Sequence, residues 1–367
     1  MLCIETRQGV GSMALKYQIL AQLLREELAM HSGIRNYRLP TERELSERYN
    51  MSRQTVRHAL ALLAQEGLIQ RRQGSRAYAA QQRTSASMQI AVITTFVDEY
   101  IFPTILHDME EVLQKYGYRI EVYVTRNRVG AERDILTNLI QNPVGGILVE
   151  GSKTALPNPN LDLYQILHRM HIPIVFFQGY YGALSHICSV TDDNYSGGYR
   201  LASYLIQKGH SAIGGIFKSD DLQGMERYNG TMSAIRDAGL PLPDHQICWY
   251  DTEQRLKLVD EKNISMLRAF LNDRLANVTA VICYNDEIAY YLIQVLRSVG
   301  RKVPEGMAVV SFDNSYYSQI SPIPITSMGH RRHRMGTEAA KQLLLLLQGH
   351  SSRSLVLPWE LIERSSG

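Results

Sequence analysis

The chain has 367 residues, 45% of them hydrophobic, and a formal net charge of only +3 at pH 7. That length and apolar content suit more than one domain around a sizeable core, and exclude a disordered or uniformly basic chain. No apolar run reaches the roughly 18–20 residues that span a bilayer, and no signal-peptide pattern is read at the N-terminus, so a cytoplasmic protein is expected.

Residues 1–12 carry no pattern and precede a second methionine, Met13, so 1–13 reads as a disordered extension. A domain follows over 14–78. Thr41 and Glu44 have the spacing of a capping box, which predicts a helix whose buried stripe includes Leu45 and Tyr49. Asn50 and Met51 turn the chain, and Ser52 caps a second helix in which Val56, Leu60 and Leu63 share one apolar face. Arg53, Gln54 and Arg57 then lie in its first turn and a half, away from that face. Gly67 closes the helix, and residues 68–72 start a strand that turns at Gln73 and Gly74. Two short helices, a tight turn and an Arg-rich hairpin make a winged helix-turn-helix, with the second helix aimed at a DNA major groove. Long donors at its N-terminal turn suit base edges and phosphates. The bland alternative is an arginine-bearing face that is merely solvated.

Charge follows the same division. Residues 14–80 hold eleven Lys and Arg against six Asp and Glu, a net of +5, and the chain from Gln89 onward carries −3. A basic head on a mildly acidic body is expected when one domain meets phosphate and the other does not.

Residues 79–87, AAQQRTSAS, are small and polar without apolar period and read as a flexible linker, 79–88. From residue 89 to 367, short apolar strands alternate with amphipathic helices. Buried strands are predicted at 90–93, 120–124, 146–149 and 174–177, with helices at 104–116, 131–141 and 161–170. A second run places strands at 212–217, 280–283 and 308–312, with helices at 197–208, 225–238, 264–271 and 287–299. Continuous apolar strands between helices indicate α/β architecture, two doubly wound parallel-sheet lobes with a ligand cleft at the strand C-terminal ends. Neither a dinucleotide fingerprint nor a P-loop follows any strand, so no cofactor is expected. Cys3, Cys188, Cys248 and Cys283 show no metal-binding spacing and read as reduced thiols, with no metal site.

The strand ends supply candidates for that cleft. Tyr100, Ile101 and Phe102 follow the first strand, Glu150 the third and Gln178 the fourth. Lys218, Asp220 and Asp221 follow a strand of the second lobe, although a solvated loop would read the same way. Arg227 opens the next helix, Asn285 and Asp313 follow two more strands, and His330 lies at a crossover back to the first lobe. Planar polar groups and aromatic rings of this kind suit a sugar, which presents hydroxyls and apolar C–H faces. The basic block at 330–334 reads as a helix start with a solvated face. Neither a nucleophile–base arrangement nor a metalloenzyme motif appears, so no catalytic residue is assigned.

The segments LPTER (39–43), SRQTVRHAL (52–60) and EGLIQRRQG (66–74) resemble the DNA-binding domain of the GntR family. That resemblance implies Arg43, Arg53, Thr55 and Arg57 as DNA contacts, with Gly74 near the minor groove. Ser52 and Arg76 complete the candidate set beside Gln54. The family's second wing glycine is replaced by Ser75. From residue 89 to 364 the chain resembles the LacI/GalR effector domain, through ICSVTDDNYSGG (187–198), ERYNG (226–230), AVICYNDEIA (280–289), VVSFDN (309–314) and SPIPITS (321–327). This implies Arg227, Asn285 and Asp313 as effector ligands, with Asp193 and Asn194 at the lobe interface or in a helix cap. The pairing of such a head and body, with local stretches such as DEYIFP (98–103), resembles the arabinose-utilisation repressors of Gram-positive bacteria. It implies a homodimer on palindromic operator DNA, released by a small sugar, L-arabinose first. The alternative is the same architecture sensing ribose, xylose or a purine.

Overall fold

The computed structural model describes residues 11–30, 39–65, 69–70, 78–79, 88–98, 100–330 and 334–367. Two compact units part between Ser87 and Met88.

In the first unit, α1 (Gly11–Met30), α2 (Glu42–Arg48) and α3 (Arg53–Gln65) precede the antiparallel pair β1 (Ile69–Gln70) and β2 (Tyr78–Ala79). The capping box forms as its spacing requires: the Glu44 amide donates to Thr41 Oγ1 at 3.2 Å, and the Thr41 amide to Glu44 Oε2 at 2.6 Å. Asn50 turns the chain at φ 50°, and Ser52 Oγ accepts from the Thr55 amide at 3.2 Å. Val56, Leu60 and Leu63 are buried against Leu45 and against Leu20, Leu24 and Leu28 of α1. α1 departs from the sequence reading, which assigned 11–13 to a disordered extension and proposed no helix before Thr41. Its apolar residues at 20, 24 and 28 have helical spacing, and the helix exists because that stripe completes the core of α3. The expected helix end at Gly67, the wing turn at Gln73 and Gly74, residues 1–10 and nearly all of the linker lie outside the described residues.

The second unit contains both α/β lobes. Its elements are β3 (Gln89–Thr94), α4 (Phe102–Gln114), β4 (Arg119–Val124), α5 (Val129–Gln141), β5 (Gly146–Val149), α6 (Leu161–Arg169), β6 (Ile174–Phe177) and β7 (Ser189–Asp192). There follow α7 (Asn194–Gln207), β8 (Ile213–Lys218), α8 (Leu222–Asp237), β9 (Ile247–Tyr250), α9 (Thr252–Val259), α10 (Ser265–Asp273), β10 (Ala280–Cys283), α11 (Asp286–Ser298), β11 (Ala308–Phe312), α12 (Tyr316–Ile320) and β12 (Thr326–Gly329). α13 (Met335–Leu347), β13 (Leu355–Leu357) and β14 (Glu360–Ile362) close the unit.

One sheet runs β13-β7-β6-β5-β3-β4, all parallel; the other runs β14-β12-β11-β10-β8-β9, parallel except for β14. Alternate residues of β3 enter two cores. Ile90 and Val92 pack with Met109 of α4 and Leu343 of α13, whereas Ala91 and Ile93 pack with Leu136, Leu139 and Phe176. That double burial is why these strands are continuously apolar in sequence. β4 is the exception. The reading made 120–124 a buried strand, but it forms the sheet edge, with Ile120 and Val122 half-buried and Val124 37% exposed. The chain passes between the lobes at Asp193, after Gly329 and at Pro358–Trp359, so the last two crossings return it to the first lobe and then to the second.

Candidate functional site

In the first unit, α3 presents Arg53, Gln54 and Arg57 as exposed side chains, and Arg43 is exposed on α2. Arg57 Nε lies 2.8 Å from Glu42 Oε2, and Arg43 Nε lies 3.6 Å from Glu47 Oε1. These exposed pairs are weak in water, so a phosphate can displace either carboxylate. Thr55 is placed differently from its expected role: it is 4% exposed, and its hydroxyl lies 2.9 Å from Ser52 Oγ. It fixes the start of α3, while the exposed Ser52 hydroxyl lies beside it. Gly74 and Arg76 fall outside the described residues.

In the second unit, a cleft of about 500 Å³, counting its open mouth, gathers side chains from strand ends of both lobes. It sits where strand order reverses, between β3 and β5 in one sheet and between β8 and β10 in the other, because adjacent strand ends there diverge and leave a crevice. Ten of the predicted cleft residues line it: Tyr100, Ile101, Phe102, Glu150, Gln178, Lys218, Asp221, Arg227, Asn285 and Asp313. Tyr100, Gln178 and Asp313 have φ values of 61°, 65° and 94°, a region costly for residues with a Cβ. Such strain, on the order of 1–3 kcal/mol each, persists only where surroundings impose it.

Polar groups are arranged in pairs. Arg227 Nη2 donates to Asp313 Oδ1 at 3.2 Å, its Nη1 donates to the Tyr284 carbonyl, and its Nε donates to Asn194 Oδ1 at 2.9 Å. Arg255 donates to both oxygens of Glu287, at 2.7 and 3.0 Å, and lies 4.4 Å over the Phe96 ring. Lys218 Nζ bridges Asp220 at 3.1 Å and Asp221 at 2.5 Å. Each buried cation thus has a carboxylate partner, and the lining suits a neutral polyhydroxy ligand better than a phosphate. Glu150 Oε2 accepts from Thr94 Oγ1, the Thr95 amide and Thr95 Oγ1 at 2.8–3.0 Å. Burial nevertheless pushes its carboxyl up to about 7. Asn285 Oδ1 caps α11 by accepting from the Ile288 amide at 3.1 Å, which fixes the side chain at the cleft wall.

Two expected cleft residues lie elsewhere. Asp220 turns away toward Thr252, whose amide and hydroxyl donate to its Oδ2 at 3.1 and 2.7 Å, so it braces Lys218 and α9 rather than lining the cavity. His330 sits on a crossing between lobes, with Nε2 3.3 Å from Asp192 Oδ1 and its ring 4.8 Å from that of Trp359. Burial lowers its pKa. Asp193 caps α7 through the Ser196 amide at 3.1 Å. Thr95, Phe96, Gln223, Arg255 and Tyr284 complete the lining. Thr95, Phe96 and Tyr284 follow strands directly and were within reach of the strand-end rule. Arg255 was not, because it comes from α9, a helix not anticipated from the sequence.

Two family models match the chain: Bacterial regulatory proteins, gntR family, over residues 16–78, and Periplasmic binding protein-like domain, over residues 202–367. An arabinose metabolism transcriptional repressor of Halalkalibacterium halodurans is 34% identical over 343 residues, 92% of this chain and 90% of that one. The protein of the same name from Geobacillus stearothermophilus is 33% identical over 341 residues, covering 92% of this chain and 91% of its own. Among solved structures, the transcriptional regulator CelR in complex with cellobiose superposes with a TM-score of 0.67 at 22% identity, covering 90% of this chain and all of that one.

Proposed function

The chain belongs to the family of arabinose metabolism transcriptional repressors, and from that premise we propose that it represses sugar-utilisation genes and leaves its operator on binding L-arabinose. In this reading the winged head, 14–78, binds double-stranded operator DNA, the segment 79–88 tethers it, and 89–367 takes the sugar and dimerises. Arg43, Ser52, Arg53, Gln54, Arg57, Gly74 and Arg76 meet the DNA, with Thr55 holding the helix start. The protein works as a cytoplasmic homodimer, without cofactor, metal or catalytic step.

The observation that carries the sugar assignment is the cross-cleft set of Arg227, Asp313 and Tyr100. Arg227 and Tyr100 both donate to Asp313, and the Tyr284, Phe96 and Phe102 rings lie in the same lining. Planar hydrogen-bonding groups fix hydroxyl orientation, and ring faces cover C–H surface. A sugar acts on the operator only if it binds one lobe arrangement better than the other; tenfold weaker DNA binding requires about 1.4 kcal/mol of coupling.

Isothermal titration calorimetry against L-arabinose, D-xylose, D-ribose, D-galactose and hypoxanthine tests the assignment. Heat with L-arabinose, followed by release of operator DNA at matching concentrations, is expected. Binding of another compound in its place would retain the architecture and overturn the effector. Recovery of chemically altered sugar would overturn the non-enzymatic reading.

A further inference from the structure

The crossings between the lobes gather near one side chain that lies outside the cleft lining. Trp359 is on the third crossing and is almost fully buried. His330, on the second, packs its ring at a tilt against it, centroids 4.8 Å apart, and places Nε2 3.3 Å from Asp192, the last residue before the first crossing. Asn194, just after that crossing, donates to the Asp192 carbonyl at 3.1 Å. Arg200 of α7 donates to the Trp359 carbonyl. A Cβ built on Gly197 would stand 2.7 Å from the indole Cδ1, so α7 abuts the ring directly.

The same indole touches the cleft machinery. The Arg227 guanidinium lies 5.5 Å from the Trp359 ring and 4.3 Å from that of Phe312, and those two rings are 5.7 Å apart. Asp313, partner of Arg227, is the residue after Phe312. The indole Nε1 is buried with no hydrogen-bond partner among the described residues, so packing sets the ring's orientation.

We infer that Trp359 is the positioning residue that passes cleft occupancy from Arg227 to the three lobe crossings. The inference rests on the reading of the cleft as the effector site. Its physical basis is close packing. A ligand that takes a donor from Arg227 or an acceptor from Asp313 shifts the guanidinium, which packs over both Phe312 and the indole. A densely packed cluster transmits that displacement instead of absorbing it. Because the indole lies on one connection, packs against His330 of another and abuts Gly197 of the helix that follows the third, a small shift there becomes a change in the angle between lobes.

The chain has two tryptophans, Trp249 and Trp359, so W249F leaves one indole as a reporter in the full-length protein. Titrating that variant with L-arabinose should change the Trp359 emission with the same midpoint as calorimetric binding. In a second variant, W359F, sugar affinity should stay within about threefold of native, while the sugar needed to release a selected operator fragment should rise about tenfold or more. Unchanged emission at full occupancy, or W359F release at the native sugar concentration, would overturn the inference alone. No binding heat with the native protein would overturn the effector reading and this inference with it.

Discussion

The Tyr100 hydroxyl donates to Asp313 Oδ2 at 2.5 Å, joining the start of α4 in one lobe to the end of β11 in the other. Both residues hold positive φ, 61° and 94°, so the bond closes between two backbone positions that the fold strains into place. Arg227 holds the other oxygen of Asp313, and the carboxylate is thereby shared between the lobes.

Tyr100→Phe removes that bond while keeping the ring. A hydrogen bond to a charged group is worth about 1.5–3 kcal/mol, and part of it is spent holding the lobes together. L-Arabinose affinity should fall about tenfold, with a small loss of melting temperature. Calorimetry beside a thermal melt separates the two effects, and an unchanged dissociation constant would show that the bond does not contribute to closure.

Arg227→Ala should abolish operator release by sugar yet leave sugar-free operator binding intact. It also strands Asp313 in a buried site, at a cost of about 3–5 kcal/mol. A melting curve and an electrophoretic mobility shift with and without sugar check both outcomes; lost operator binding in a folded protein would contradict the division of labour between units.

Arg53→Ala is the reciprocal test. A base or phosphate contact on the reading helix contributes about 1–3 kcal/mol, so operator affinity should drop roughly 5- to 150-fold while sugar binding and melting temperature hold. Thr55→Val should instead lower the melting temperature of the head, because the buried hydroxyl pairs with Ser52.

Glu150 predicts opposite pH trends for stability and for ligand binding. Its folded pKa is raised to about 7, from burial above all, so its stabilising contribution is complete below the ordinary carboxyl value of 4.5 and is lost as pH rises toward 7. A sugar hydroxyl that donates to the ionised carboxylate favours the deprotonated form. L-Arabinose affinity should therefore weaken as pH falls from 8 to 6, and Glu150→Gln should flatten that profile. Calorimetry at pH 6, 7 and 8 reads it directly.

Gly198→Ala and Gly230→Ala probe the contact between α7 and α8. An added Cβ would lie 2.1 Å from the Arg227 carbonyl oxygen in the first case and 1.9 Å from that of Tyr195 in the second. Backbone cannot yield as a flexible side chain does, so each should cost upward of about 1–3 kcal/mol. Chemical denaturation measures the loss.

Local order and family membership were legible in the linear chain. The box of Thr41 and Glu44, the stripe of Val56, Leu60 and Leu63, and the apolar runs that became β3, β5, β6, β10 and β11 depend on spacing alone. Spacing is a property of neighbours in sequence. Most cleft residues followed from one further rule, that ligands meet parallel sheets at strand ends. What folding alone decided concerns groups far apart in the chain. Val124 lies at a sheet edge because no strand among the described residues pairs beyond it, α1 is helical because α3 offers its stripe a core, and Arg255 reaches the cleft from an unanticipated helix. Asp220 and His330 stand at expected strand ends and crossings yet face Thr252 and Asp192, because nearby buried partners outcompeted the cavity for their polar atoms. Side-chain direction at a strand end is set by such distant partners, and these exist only once both lobes have assembled.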